Sequence, residues 1–170
     1  MSGFTRVWFD CNDGVLEEHS DIEIRQRYCF IFTVDKHVIV VAKSDKKWQF
    51  PGGHPQEDET WRETLVREIR EETGLDIGEG IESVGKLGYY LIEKRDEKFL
   101  QERYILILNR EAADLDLAPI ENEEDSEESK IAFVKTVPIS KIGKYVPWAP
   151  EAEGWNAALK GYVKVMFGIG

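Results

Sequence analysis

The chain has 170 residues, 42% hydrophobic and 32% charged, which is the size of one domain able to bury a sizeable core. Lys and Arg number 22 against 33 Asp and Glu, a net charge of -11. That balance excludes a protein drawn to long nucleic acid, whose phosphates are held by Lys and Arg, but not one that takes a small phosphate compound already complexed with a cation.

Residues 1–21 open with the apolar stretch Phe4 to Phe9, read as an edge strand or a strap across the core, followed by the polar loop Asp10 to Asp21. The start has no apolar core and an early acid, so it reads as neither a signal nor a transit peptide. Ile24 to Val34 predicts a long strand, apolar on both faces in its second half and therefore central. Asp35-Lys36-His37 predicts a turn, and Val38 to Ala42 its hairpin partner. Trp48 to Phe50 reads as a short strand ended by Pro51, after which Gly52-Gly53 turns the chain tightly enough to approach a phosphate. Cys11 and Cys29 have no metal-ligand spacing, and Cys29 sits in an apolar strand as a small buried hydrophobe. No apolar run approaches the roughly 20 residues of a membrane span. The expected location is the cytoplasm.

The next element carries the chemistry. Thr60 with Glu63 has the spacing of a capping box, so a helix opens at Thr60, and Gly74 supplies a left-handed residue to close it. On a helical wheel Leu65, Val66 and Ile69 share one side, while Glu68, Glu71 and Glu72 gather about a quarter-turn away. Acids at these spacings repel one another by some tenths of a kcal/mol per pair. The commoner meaning of an acidic run is a solvated face. A hard divalent cation offers another: Mg²⁺ takes oxygen ligands from a few carboxylates plus substrate phosphates. Arg67 and Arg70 flank the acids and are placed to orient them.

Beyond the helix, Asp76 to Gly80 reads as a loop and Ser83 to Lys94 as a strand broken at Gly85 or Gly88. Leu100 to Asn109 pairs back as a second long strand. Residues 110–129 form a long acidic connection, which inside a compact domain is functional or disordered. Ile131 to Val134 is a strand, Pro138 to Ile142 a helical turn, and Glu153 to Val165 a terminal helix striped by Trp155, Leu159 and Tyr162. There are no internal repeats and no second-domain linker. These patterns alone reach a single mixed α/β domain over residues 1–170.

Gly53, five residues, Glu59, seven residues, Arg67-Glu68-Ile69, one residue, Glu71-Glu72, one residue, Gly74-Leu75 resembles the Nudix box at all nine of its fixed positions. Trp48 to Gly53 looks like the lead-in found in many members; the close match ends at Leu75. The resemblance implies an α/β fold, an α/β/α sandwich with a mixed β-sheet. It also implies hydrolysis of a nucleoside diphosphate linked to another group, with Mg²⁺ or Mn²⁺. By carry-over Glu68 and Glu72 are direct ligands, Glu71 a third or one reached through water, and Glu59 an outer or additional ligand. Arg67 orients a box glutamate, and Gly52, Gly53 and Gly74 shape the phosphate loop and the helix end. The general base is a box glutamate or one on a distant loop, for which Glu124, Glu127 and Glu128 are the candidates.

The resemblance implies a small nucleotide as partner and leaves a homodimer open. Members acting on ADP-ribose often carry a proline some fifteen residues past the box; this chain has none between Pro55 and Pro119. The lead-in and Val146 to Pro150 lean towards cleavage of (d)NTPs or modified (d)NTPs to the monophosphate and pyrophosphate. Tyr89 and Tyr90, as base-stacking rings, keep a dinucleoside polyphosphate as the alternative, beside a nucleotide sugar. Two other classes are a non-catalytic Nudix-like ligand-binding module and an acidic protein whose run at 121–128 meets a basic partner. Tyr28, Phe30, Trp48 and Trp148 are further candidates for stacking, each weighed against the commoner core role of an aromatic.

Overall fold

The computed structural model describes residues 3–78, 83–121 and 129–168. At its centre β2 (Ile24–Thr33) lies parallel to β7 (Glu97–Leu108), with Cys29 opposite Tyr104 and Thr33 opposite Leu108. The second half of β2 is buried on both sides, which is why its sequence is apolar without alternation. On one flank β6 (Gly85–Lys94) forms an antiparallel hairpin with β7. β1 (Phe4–Asp10) pairs along β6, so the opening apolar stretch is an edge strand. On the other flank β3 (His37–Ala42) carries both β4 (Trp48–Gln49) and β8 (Phe133–Pro138).

The β2–β3 hairpin parts almost at once, with Phe32 opposite Val38 as its registered pair. Into the fork goes β5 (Gly52–Gly53), which pairs with Arg27 and Tyr28 of β2. The sheet is mixed and lies between two helices, an α/β/α sandwich. Cys29, Ile31 and Ile39 face α1 (Trp61–Thr73), meeting its Leu65 and Ile69. After α2 (Ile142–Tyr145) the chain enters α3 (Glu153–Phe167), which lies on the opposite face against Phe30, Phe32, Val38 and Val40. There the Trp155 ring stands 5.4 Å from Phe50, 5.7 Å from Phe32 and 5.8 Å from Phe30. Each such side chain, fully buried, contributes about 1.5–3 kcal/mol.

Boundaries differ from expectation where tertiary pairing sets them. The strand expected at Ile131 starts at Phe133, because β8 takes its register from β3, with Phe133 opposite Ala42 and Pro138 opposite His37. The break expected at Gly85 or Gly88 is a bulge between Lys86 and Gly88, where φ is 158° at Gly88. The strand expected from Leu100 begins at Glu97, since the hairpin holds Glu97 opposite Lys94. Among the described residues no helix is long and apolar enough to cross a membrane.

Candidate active site

The helix α1 is fixed at both ends by its own sequence. The Thr60 hydroxyl accepts from the Glu63 N–H at 3.2 Å, and Glu63 Oε2 accepts from the Thr60 N–H at 2.9 Å. At the other end Gly74 takes a left-handed φ of 79° and its N–H reaches Arg70 O. The acidic connection docks against this same end: Ala118 N donates to Thr73 O and Ile120 N to Glu71 O, using carbonyls the last helical turn leaves open. With Leu65 and Ile69 committed to the core, Glu68, Glu71 and Glu72 line a cavity of about 500 Å³ facing Gly52 and Gly53. Lys43, Ile120 and Lys130 form part of its wall.

Both glycines are required, for different reasons. Gly52 has φ 144°, and a Cβ there would run into Arg27 O and the Tyr28 backbone. Gly53 has no positive φ. A Cβ on Gly53 would lie 2.5 Å from Glu68 Oε1, so it is the close seating of that carboxylate that leaves no room.

Arg67 organises the acids. Its Nε and Nη2 grip the two oxygens of Glu59 at 2.7 and 2.9 Å, its Nη1 donates to Glu68 Oε1 at 2.8 Å, and its Nη2 also reaches His54 O at 3.0 Å. Glu71 Oε2 stands 3.6 Å from the same guanidinium. Glu59 also accepts from Gln56 N at 2.7 Å and from the Thr64 hydroxyl at 3.1 Å. The Arg67 hydrogen bonds, foremost, hold its carboxyl down at about 2.

Glu72 is the exception. It is 7% exposed, and its Oε1 accepts from Gly52 N at 3.4 Å, while its Oε2 is buried with no hydrogen-bond donor among the described residues. Burial first, then the neighbouring Glu68 carboxylate, raise its pKa well above the usual range. A buried carboxylate oxygen without a donor is costly unless something positive meets it. Among the described residues no group of three or more His, Cys, Asp or Glu forms a ready-made cation cage. An Mg²⁺-like ion needs none, because waters and substrate phosphates complete its shell. The residues fit a hard divalent cation.

Several features escaped sequence reasoning. Beneath the N-terminal half of α1, Arg27 and Glu102 form a buried pair at 2.8 Å, and Arg27 Nη1 also donates to Thr64 Oγ1 at 2.9 Å. The chain from Arg27 through Thr64 to Glu59 links the sheet to the Arg67 fork. The only advance signal is a run of polar residues, Arg25 to Arg27, inside a strand.

A second cavity of about 380 Å³ adjoins the first, sharing Gln26, Tyr28 and Gln49 with it. Its aromatic walls include Phe50, Phe99 and Trp148, and its polar lining includes Gln101, Arg6 and Arg103. Of the rings proposed for stacking, Tyr28 and Trp148 line it. Phe30 is core, and Trp48 packs against the core cluster under α3. Tyr89 and Tyr90 are each 1% exposed: the Tyr89 hydroxyl is 2.6 Å from His19 Nδ1, and the Tyr90 hydroxyl accepts from Gly154 N at 2.9 Å. Neither can stack on a base, which corrects the reason for keeping a dinucleoside polyphosphate. Glu124, Glu127 and Glu128 lie outside the described residues.

An α/β/α sandwich that sets a capped, glutamate-bearing helix against a diglycine strand defines the Nudix class of domain. The chain belongs to the NUDIX domain family, whose sequence model matches residues 24–159. It is similar to the isopentenyl-diphosphate Delta-isomerase of Salmonella paratyphi B, 38% identical over 56 residues, 29% of this chain and 31% of that protein. It is also similar to the 8-oxo-dGDP phosphatase NUDT18 of Danio rerio, 32% identical over 73 residues, 38% of this chain and 22% of that protein. The matched stretch thus spans a third or less of either relative's length.

Among solved structures, a mutant of the Bacillus subtilis pyrophosphohydrolase BsRppH superposes with TM-score 0.60 at 14% identity, covering 98% of this chain and 93% of that one. The Caenorhabditis elegans Ap4A hydrolase superposes with TM-score 0.55 at 14% identity, covering 84% and 99%. At these identities the likeness is one of fold.

Proposed function

We propose that the protein hydrolyses the diphosphate bond of a nucleoside diphosphate linked to another group, using Mg²⁺ or Mn²⁺. Its leading substrates are (d)NTPs or modified (d)NTPs, cut to the monophosphate and pyrophosphate. The observation that carries this reading is the buried oxygen of Glu72, without a donor among the described residues, beside Glu68 in a cavity roofed by Gly52-Gly53 and adjoining an aromatic one. Similarity to a phosphatase of 8-oxo-dGDP and to an isomerase of a diphosphate supports a diphosphate at this site.

When bound, a divalent cation neutralises phosphate oxygens and makes water more acidic. Glu68 and Glu72 would hold it, with Glu71 a third ligand or one reached through water. Arg67 keeps Glu68 from swinging towards solvent, and Glu59, spent on Arg67, acts through that arginine. The proton of the attacking water goes to a box glutamate or to one of Glu124, Glu127 and Glu128. Replacing each of these by Gln singly separates the two: general-base loss costs on the order of 10²–10⁴-fold in rate. The reading includes a cytoplasmic site of action, in keeping with two free cysteines, and leaves a homodimer open.

The test is a panel of nucleoside triphosphates, nucleotide sugars and dinucleoside polyphosphates with Mg²⁺, scored for phosphate and pyrophosphate. Pyrophosphate released from a triphosphate is the expected result. A panel left wholly uncleaved by well-folded protein, while nucleotide still binds, would instead establish a non-catalytic module.

A further inference from the structure

The second cavity carries an electrostatic anomaly. In a chain of net charge -11, its lining holds Arg6, Lys94 and Arg103 and no acid. Arg6, on the edge strand β1, and Lys94, at the exposed end of β6, stand at the rim, while Arg103 is 7% exposed, at the cavity wall. Arg103 Nη1 donates to Glu102 O at 3.1 Å and its Nη2 to Gln101 Oε1 at 3.2 Å, both uncharged acceptors. Its guanidinium lies 4.8 Å from the Tyr28 ring centre and 5.3 Å from that of Tyr90, and Arg6 covers Tyr90 at 3.7 Å. Among the described residues no carboxylate forms an ion pair with Arg103. Its neighbour in sequence shows the contrast: Glu102 points to the other face of the sheet and pairs with Arg27.

A buried charge is normally paired, because desolvating it alone is expensive. Burial, opposed by Tyr28 and reinforced by repulsion from Arg6, draws the Arg103 pKa down to about 10, still cationic at neutral pH. Among the described residues no anionic side chain balances it. The walls are aromatic and the cavity adjoins the glutamate-lined one, with Gln26, Tyr28 and Gln49 lining both, so a ligand reaching across the two would have a diphosphate at one end and a further anion at the other.

On the proposed hydrolase reading, we infer that the second cavity binds a phosphate of the substrate beyond the two at the glutamate site, with Arg103 as its buried anchor and Arg6 and Lys94 at the rim. The substrate class is a nucleotide carrying at least one such additional phosphate, and diphosphates without it are poor ligands. That phosphate has two chemical sources, an extended phosphate chain or a phosphorylated ribose.

The test is equilibrium binding to metal-free protein in EDTA, so that the result does not depend on hydrolysis. Adenine nucleotides serve as probes: ADP, ATP, and adenosine 3′,5′-bisphosphate, followed by Trp148 fluorescence or calorimetry. Wild type should bind at least one three-charge-group or ribose-phosphorylated probe about 10-fold more tightly than ADP, the worth of one charge-assisted contact. Preference for ATP assigns the chain phosphate; preference for the bisphosphate assigns the ribose phosphate. In Arg6→Gln and Lys94→Gln, at exposed positions that leave the core intact, the preference should shrink severalfold, and in Arg103→Gln it should vanish. Should Arg103→Gln fail to fold by circular dichroism, the rim variants decide. Equal binding of all probes, no binding of any, or a preference unchanged in the rim variants overturns the inference. Hydrolysis of the substrate panel without this preference would leave the catalytic reading standing and remove only this one.

Discussion

Neighbouring glycines at the site should respond to alanine differently, one chiefly in turnover and the other chiefly in stability. In Gly53→Ala the new Cβ would sit 2.5 Å from Glu68 Oε1 and 2.6 Å from Glu68 Cδ. Ordinary contact between such atoms is about 3.5 Å, so the carboxylate must retreat by about 1 Å. It is the far end of a flexible side chain and can do so. The retreat weakens the 2.8 Å bond from Arg67, a charge-assisted bond worth about 1.5–3 kcal/mol, while alanine returns about 0.4–1 kcal/mol through the unfolded chain. The net loss of stability is about 1 kcal/mol. Turnover should fall much further, on the order of 10²-fold, because an ångström of misplacement at a reacting site costs that much.

In Gly52→Ala the Cβ meets backbone, Arg27 O and the Tyr28 main chain, at a φ of 144° that alanine rarely adopts. Neither neighbour can yield without parting β5 from β2. Strain and overpacking each cost about 1–3 kcal/mol, so this variant should lose on the order of 3 kcal/mol. Urea denaturation gives the stabilities, and pyrophosphate release from whichever substrate the panel identifies gives turnover. Equal destabilisation of the two variants, or Gly53→Ala with full turnover, would refute the reasoning.

Three further perturbations are informative. Glu72→Gln removes a buried charge repelled by Glu68, so the Tm should hold or rise while turnover falls by at least about 100-fold; full turnover would remove the cation from this site. Glu59 titrates at about 2 when folded against an ordinary 4.5, so it contributes stability that is complete above about 4.5 and lost as the pH falls towards 2. In EDTA the stability of wild type over Glu59→Gln should therefore decline across that window by on the order of 2 kcal/mol, and a difference constant with pH would contradict it. Glu102→Ala strands the Arg27 charge and should cost about 3–5 kcal/mol, most of it recovered in Arg27→Met/Glu102→Leu by chemical denaturation. A neutral Glu102→Ala would show that the pair holds nothing together.

What could be read from the sequence was what local chemistry determines. Thr60, Glu63 and Gly74 encode the limits of α1 through bonds closed within four residues, and the helix was placed correctly at both ends. The doubly apolar half of β2 signalled a central strand because burial on both faces leaves no alternation. By contrast, β8 begins two residues after its expected start, since its partner β3 lies some hundred residues earlier in the chain. Tyr89 and Tyr90 illustrate a different limit: composition cannot distinguish a ring that is available from one whose hydroxyl is tied to His19 or Gly154. Arg103 is the hardest case. What makes it notable is that no carboxylate among the described residues pairs with it, and such a feature emerges only once strands distant in sequence are side by side.

The parallel pairing of β2 with β7 bears on how the molecule is assembled. Arg27 and Glu102 are 75 residues apart, and no tight turn can bring parallel neighbours together. Closing that loop costs chain entropy before any contact between the two strands repays it. The capped helix, by contrast, can begin to form from its own residues. On this ordering the glutamates are arrayed along α1 before β7 arrives to complete the floor beneath them and the wall that holds Arg103. A variant that weakens the β2–β7 ladder should therefore slow refolding, and loss of the Thr60 cap, a bond already made when the strands meet, should also slow refolding while leaving the unfolding rate nearly unchanged.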